Sequence, residues 1–309
     1  MASTNFVVTS LPAYVATNRD MLIKNFALAG GNTRKRMTIQ TGVKYKEYLN
    51  YMELAPTLQD GSECGFTSAG SATLTQRTIT APSIKIDLDI CPRKLVGKYA
   101  EYLVRNNATA EDLPFEEYIM QAIINDINRK IEKLIWLGDT TKTSDATIKW
   151  TDGLIKIATA DSSVVDVELA AANDAYTDIK TVVDALTEET LERGGEVYVS
   201  PALYRSFMSA LVEKNYYHYS GSEAANDTEF YFPGTGVKVV CTPGLAGSTS
   251  IVGTFAGNLV YGCDIEGDSE DIDLWYSKDD RVFKLEALWN TGVQFAYPDQ
   301  VVLGTKKLS

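Results

Sequence analysis

Between Thr41 and Ile90 the chain reads TGVKYKEYLNYMELAPTLQDGSECGFTSAGSATLTQRTITAPSIKIDLDI. Its two ends alternate as strands do. Val43 and Tyr45 are interleaved with Lys44 and Lys46, and Ile84, Ile86, Leu88 and Ile90 with Lys85, Asp87 and Asp89, which is the two-residue period of a half-buried strand. The ends should therefore pair with each other or join a sheet. From Leu58 to Thr80 the large apolar side chains are Leu58, Phe66, Leu74 and Ile79 alone, too few to build a core. Structureless loops longer than about 15 residues are unusual inside compact domains. The stretch is either a floppy surface insertion or, as we expect, an extended hairpin ordered by lying across another subunit.

Outward from this arm the pattern changes. The first forty residues show no sustained period, and Gly30-Gly31-Asn32 breaks them before the basic run Arg34-Lys35-Arg36. Downstream, Phe115, Ile119, Ile123, Ile127, Ile131 and Ile135 recur every four residues, with Glu116, Gln121, Asn125, Asn128, Glu132 and Lys133 on more polar faces. That spacing predicts a helix over 114–137, with Pro114 in its first turn and Gly138 at its end. At the standard rise it is a rod of about 36 Å, and its apolar stripe needs a cover. A second helix is expected over 169–191, carrying Leu169, Ala172, Tyr176, Ile179, Val183 and Leu186. A strand follows at 196–200, then a helix capped by Ser200-Pro201, then short β-prone runs at 237–241, 251–255 and 258–262. The alternation of Ile272, Leu274 and Tyr276, a turn at Lys278-Asp279-Asp280, and a second alternation through Phe283, Leu285, Ala287 and Trp289 predict a β-ribbon. It is the natural lid for the long helix.

Composition narrows the function. At 309 residues, 45% apolar and 23% charged, the chain has the make-up of an ordinary globular protein with one large or two smaller domains. No apolar run approaches the roughly 18 residues of a membrane-spanning helix, and the start lacks a signal-peptide pattern, so no membrane partner and a cytosolic site of synthesis are expected. Cys64, Cys91, Cys241 and Cys263 are far apart and form no metal-ligand pair; they read as free thiols. A net charge of −12 argues against a surface that grips nucleic acid throughout. The charge is nonetheless uneven, since Arg19, Lys24, Arg34, Lys35, Arg36, Lys44 and Lys46 dominate the first fifty positions. A basic arm on an acidic body suits contact with nucleic acid or with an acidic neighbouring subunit.

Chemistry is hard to find. The single histidine, His218, stands in Asn215-Tyr-Tyr-His-Tyr-Ser220 with no second histidine or nucleophile motif beside it. Gly234-Thr-Gly236 lacks the endings of a phosphate loop and of a dinucleotide fingerprint. The acidic run Asp264, Glu266, Asp268, Glu270, Asp271 and Asp273 has the spacing of a calcium loop, but Ser269 and Trp275 occupy the positions of its glycine and its bidentate glutamate. It reads as a solvated loop. No catalytic, cofactor or metal residues are assigned, and the chain is not expected to be an enzyme.

The order of segments resembles the major capsid proteins of tailed double-stranded DNA bacteriophages, the Hong Kong 97 capsid fold. Locally, Leu58-Gln-Asp-Gly-Ser-Glu-Cys-Gly-Phe66 with Leu74-Thr-Gln-Arg77 resembles the E-loop of such proteins, and the run from Trp289 to Val302 resembles the closing strand of their peripheral domain. The resemblance implies an α+β fold: an N-terminal arm (1–40), an E-loop hairpin (41–92), a peripheral domain (93–165) with a spine helix, an α/β axial domain (166–268), and a return to the peripheral domain as a β-ribbon (269–309). It further implies a virion protein that self-assembles into hexamers and pentamers of an icosahedral shell in the bacterial host cytoplasm and encloses packaged double-stranded DNA, contacted non-specifically. Implied partners are a portal protein, a separate scaffold protein and decoration proteins. Leu58, Phe66, Leu74, Arg77, Ile79, Arg34, Lys35 and Arg36 are the expected subunit-contact residues. An encapsulin-like nanocompartment shell and a soluble α/β enzyme or binding protein with a long insertion are the alternatives.

Overall fold

The computed structural model describes residues 33–61, 65–66, 68–91, 115–171, 174–215, 229–264, 271–280 and 282–306. In chain order the elements are β1 (Thr38–Gln40), β2 (Lys46–Pro56), β3 (Gly70–Thr80), β4 (Ser83–Ile90), α1 (Phe115–Leu137), α2 (Leu154–Ala160), β5 (Val165–Leu169), α3 (Ala175–Asp184), α4 (Glu188–Glu192), β6 (Gly195–Val199) and α5 (Pro201–Glu213). Eight strands complete the set among the described residues: β7 (Glu229–Tyr231), β8 (Lys238–Cys241), β9 (Ile251–Phe255), β10 (Leu259–Gly262), β11 (Asp271–Ser277), β12 (Val282–Asn290), β13 (Gly292–Phe295) and, after a short 3-10 turn, β14 (Val302–Lys306). His218, Cys64, Pro114 and most of the acidic run lie outside the described residues.

A six-stranded sheet in the order β5-β14-β9-β6-β8-β7 sits at the centre. Neighbouring residues of a strand face opposite ways, and here each face meets a different layer. Val197, Val199, Val239, Ile251 and Val302 pack with Ile179, Val182, Phe207 and Leu211 of α3 and α5. Their neighbours Tyr198, Val240, Val252 and Leu303 turn to the other side and join the core of the long helix α1. Strands covered on both faces read as continuous apolar runs rather than alternations, which is why this part of the sequence carries a weak strand period.

The apolar stripe of α1 behaves as its spacing predicts. Ile119, Ile127, Ile131 and Ile135 are buried with Ile84, Ile90, Leu274, Phe283, Leu285, Ala287 and Trp289. The last seven come from a second sheet, β11-β12-β4, in which Ile84, Ile86 and Leu88 stand opposite Trp289, Ala287 and Leu285. The expected ribbon is therefore the lid of the helix, and the far end of the opening stretch completes it. A polar position of the helix is also buried. Glu132, placed by sequence on a polar face, is covered by the turn at 33–36: it accepts hydrogen bonds from Thr33 N (3.1 Å) and Thr33 Oγ1 (2.8 Å), while Trp136 Nε1 donates to Thr33 Oγ1 (2.8 Å). Burial pushes the Glu132 carboxyl up, and the Thr33 hydrogen bonds and the charge of Arg34 oppose it.

Three expectations change. The helix over 169–191 is a strand end followed by two helices, because Asp174 and Thr187 each cap a new start: Asp174 Oδ1 accepts from Thr177 N (2.8 Å) and Thr187 Oγ1 from Thr190 N (3.3 Å). The run from Trp289 to Val302 is not one closing strand. It ends β12, forms β13 beside β10, turns at Pro298–Gln300 and enters β14. Finally, β14 leaves the ribbon and inserts in the six-stranded sheet between β5 and β9. Val302, Leu303 and Gly304 are all buried there, and Lys306 Nζ reaches the fully buried Asp178 carboxylate at 2.8 Å.

After α1 the chain crosses to α2 by a loop that hydrogen-bonds to itself. Asp139 receives Lys156 Nζ (2.8 Å), Thr141 N (3.0 Å) and Thr141 Oγ1 (2.6 Å), and these partners, Lys156 first, hold its carboxyl well below the usual carboxylate range. A lowered native pKa contributes stability that is full above the unfolded value of about 3.9 and is lost as pH falls through the native value. Asp139→Asn is therefore expected to lower the urea midpoint near neutrality, with the gap to the parent closing as the pH is taken below about 3. A gap that is constant across that range would refute the assignment.

Candidate functional site

The stretch from Lys46 to Thr80 is a two-stranded hairpin, β2 against β3, with Lys46 opposite Thr80, Met52 opposite Leu74 and Pro56 opposite Gly70. Eleven residues per strand make an arm about 36 Å long at the rise of about 3.3 Å per residue. Both strands are free of the larger sheets.

Its root is tied down. Val43, Leu49, Ile79 and Ala81 form a small core with Val260 and Ala296, and a Cβ on Gly262 would lie 2.8 Å from Ile79 Cδ1, so that glycine leaves the space the arm needs. Gln294 Nε2 donates to Thr78 O (2.9 Å) and Asn290 Nδ2 to Lys44 O (2.7 Å). The Tyr51 ring lies 5.0 Å from that of Tyr297, which Arg193 covers at 5.3 Å. Arg77 forms an ion pair with Asp161, in the loop after α2.

The body leaves the other face of the hairpin uncovered. Tyr48, Met52 and Leu54 share one face with Leu74, since alternate residues of a strand and directly opposed residues of a pair point the same way. They are 52%, 60%, 59% and 71% exposed. At the tip Leu58 is 99% and Phe66 95% exposed. Monomeric proteins rarely present contiguous apolar patches of this kind without a partner for them.

The expected contact residues therefore divide. Leu58, Phe66 and Leu74 point to solvent, and Lys35 is exposed. Ile79 and Arg34 are corrected: at 0% and 3% exposure they are spent inside their own subunit, Ile79 in the root core and Arg34 through Asn128 Oδ1 (2.7 Å). Arg36 pairs with Glu196 and Glu229, and Arg77, expected at a subunit contact, pairs with Asp161 of its own chain. Tyr48, Met52 and Leu54 were missed. Their common parity was the available signal, hidden because Asn50 interrupts it and apolar Leu49 and Tyr51 occupy the positions between.

Among the described residues no cluster of His, Cys, Asp or Glu is arranged to hold a metal ion, and no helix is long and apolar enough to cross a membrane. A cleft of about 580 Å³ beside the end of α1 is lined by Lys133, Lys142, Lys156 and Asp139. Its charges answer one another: Lys156 meets Asp139 and Asp152 at 2.8 and 2.7 Å, and Lys133 meets Asp145 at 3.6 Å. That leaves no cationic excess for an anionic ligand.

No protein-family model matches the sequence, and comparison with curated proteins finds no match. Comparison of structures does. A chain of the satellite phage P4 procapsid, which includes the size determination protein, superposes with a TM-score of 0.62 at 12% identity, covering 95% of this chain and 100% of that one. The capsid of an empty GTA particle gives 0.55 at 12% identity over 92% and 90% of the two chains. A virus-like particle from Pyrococcus furiosus gives 0.52 at 10% identity over 92% and 96%. The chain thus has the mixed α+β fold of phage capsid proteins, as the order of its segments implied.

Proposed function

We propose that this chain is a major capsid protein, a structural subunit that self-assembles into the hexamers and pentamers of an icosahedral shell around packaged double-stranded DNA. The observation that carries the reading is the arm: a hairpin on the fold of particle-forming proteins, with an apolar face and tip that its own subunit leaves uncovered. On this reading β2 and β3 are the E-loop, α1 the spine helix, the β11-β12-β4 sheet the rest of the peripheral domain, and the six-stranded sheet the axial domain. Leu58, Phe66 and Leu74, with Tyr48, Met52 and Leu54, contact the neighbouring subunit. Lys35 lies on the basic arm root, and Arg77 sets the arm in place. Closed symmetry repeats one contact around the whole particle, which is how six exposed side chains suffice.

The chain does its work by assembly and not by catalysis, in a virion put together in the bacterial host cytoplasm. A portal protein, a separate scaffold protein and decoration proteins are its proposed partners, and DNA is met through charge rather than sequence. Negative-stain microscopy and sedimentation of the purified chain, with and without a co-expressed scaffold, are the test. Closed shells of uniform size are expected. A stable small species under every assembly condition would sink the proposal. Extraction of particle contents separates a virion from a nanocompartment, because genome-length DNA is expected and a protein cargo would favour the other shell.

A further inference from the structure

The strand β14 has little in its own sequence to fix its alignment in the six-stranded sheet. Val302, Leu303 and Gly304 are buried in succession, so it lacks the one-sided apolar alternation that ordinarily pins a register. A slip of two residues would also leave every side chain on its own face. What β14 turns toward α3 is a glycine and a charge. Gly304 and Lys306 lie two apart and share one face of the strand, while Asp178 and Val182 lie four apart and share one face of the helix. A Cβ on Gly304 would come within 2.7 Å of Val182 Cγ2 and 3.1 Å of Leu169 Cδ1, so the strand backbone sits close against the helix. Two residues on, Lys306 Nζ meets Asp178 Oδ2 at 2.8 Å. Asp178 is wholly buried, and among the described residues neither of its carboxylate oxygens makes a hydrogen bond. Such a pair adds little net stability, because the cost of taking the charges out of water offsets their attraction. Its use lies in what it excludes.

We propose that the Asp178–Lys306 pair is a register key, which with Gly304 beneath Val182 admits β14 to the slot between β5 and β9 in one alignment. In that alignment Val302, Leu303 and Gly304 stand opposite Gly253, Val252 and Ile251. Slipped by two residues either way, the strand brings a side chain against Val182 in place of the glycine. The slip also carries Lys306 about 7 Å along the strand, and Asp178 is left as a buried charge without its counter-ion, the strongly destabilising case. The two partners are unequal. The Lys306 side chain is 23% exposed and can turn its ammonium to water along a flexible stem, whereas the Asp178 carboxylate has no such route.

The test is methyl NMR and amide hydrogen exchange on the unassembled full chain. The parent should give one set of Val302 and Leu303 methyl signals, with Leu303 against Val252. Lys306→Met strands the carboxylate and should speed exchange of the β5 and β14 amides by about hundredfold or more, whereas Asp178→Asn should change it by less than about tenfold. Val182→Ala relieves the crowding at Gly304 and keeps the pair, so one set of signals should persist. Val182→Ala combined with Asp178→Ala and Lys306→Met removes the key without leaving a charge behind. It should give at least two sets, the added one with Val301 or Thr305 against Val252. A single set in that triple variant, with Leu303 still against Val252, would overturn the key. Should the triple variant fold poorly, the two single variants decide: exchange speeded equally by Lys306→Met and Asp178→Asn, or by neither, would overturn it too. The chain is unassembled throughout, so this result stands apart from whether shells form.

Discussion

Leu58→Asp combined with Phe66→Asp is expected to leave the subunit folded and to abolish closed shells. Both side chains are almost wholly in solvent in the isolated subunit, so replacing them removes no contact that holds the fold, and surface changes of this sort stay within about 0.5 kcal/mol. In a subunit contact each would forfeit about 1.5–3 kcal/mol of apolar burial and would also take a carboxylate out of water. A difference of about 1.4 kcal/mol is tenfold in an equilibrium constant, and a shell repeats the loss at every contact. The milder Leu58→Ala and Phe66→Ala should raise the protein concentration at which shells appear, each by about tenfold or more. A sharper version shortens the arm itself. Met52 and Leu74 are directly opposed, so joining them through Asn-Gly recreates a tight two-residue hairpin while keeping Leu49, Tyr51, Arg77 and Ile79 in the root. Removal of all residues from 57 to 80 would strip Ile79 from the small core and confuse lost assembly with lost folding. Circular dichroism should match the parent, and microscopy should show no shells. Normal shells from the shortened chain would end the case for the arm as an assembly element.

Trp136→Ala is expected to cost about 3–5 kcal/mol, the usual range for emptying a large buried aromatic site. Trp136 is fully buried near the end of the long helix, its ring 5.1 Å from that of Tyr198 on the six-stranded sheet. Its Nε1 donates to Thr33 Oγ1, and Thr33 in turn serves the buried Glu132. One side chain thus ties the helix, the sheet and the turn at 33–36. Against a total stability of about 5–15 kcal/mol for a native domain, that loss is large. Guanidinium unfolding followed by circular dichroism should show a much lower midpoint with little change in slope. A shift below about 1 kcal/mol would mean that the residue is not at this junction. Trp136→Phe keeps most of the volume and should recover much of the stability, leaving the cost of the lost indole donor, about 1–3 kcal/mol.

What the sequence disclosed and what it withheld follow from the physics of each element. The isoleucines of the long helix and the alternations of β4, β11 and β12 were legible because each has one buried face, and a one-sided burial writes its period into the chain. The inner strands β6 and β9 of the central sheet are buried on both faces, and β14 is buried over its first three residues, so period is erased and only turn residues mark them. β14 was missed for that reason. The break within 169–191 was written in Asp174 and Thr187, but apolar spacing alone cannot tell Leu169 at a strand end from a helical residue. The arm was legible as a thing that could not bury itself. Which of its apolar residues face outward was not, because Ile79 and Leu74 look alike until the register places one over Gly262 and the other in solvent. Arg34 and Arg36 read as a basic patch, and buried Glu132 and Glu196 turn them into internal partners.

The place of β14 carries a consequence for how the protein is made. Val165 at the start of β5 pairs with Val302, and β5 reaches β9 only through the strand between them. A nascent chain on the ribosome can form α3 and α5 early, but α1 must wait for its cover from β11 and β12, and β5 waits beside an open slot until the residues after 301 emerge. Late, long-range pairing of this kind is slow and leaves strand edges exposed meanwhile. Until β14 enters, β5 has no strand partner in the six-stranded sheet and the facing edge of β9 stays open, so a chain that stops short of residue 302 leaves two strand edges unpaired.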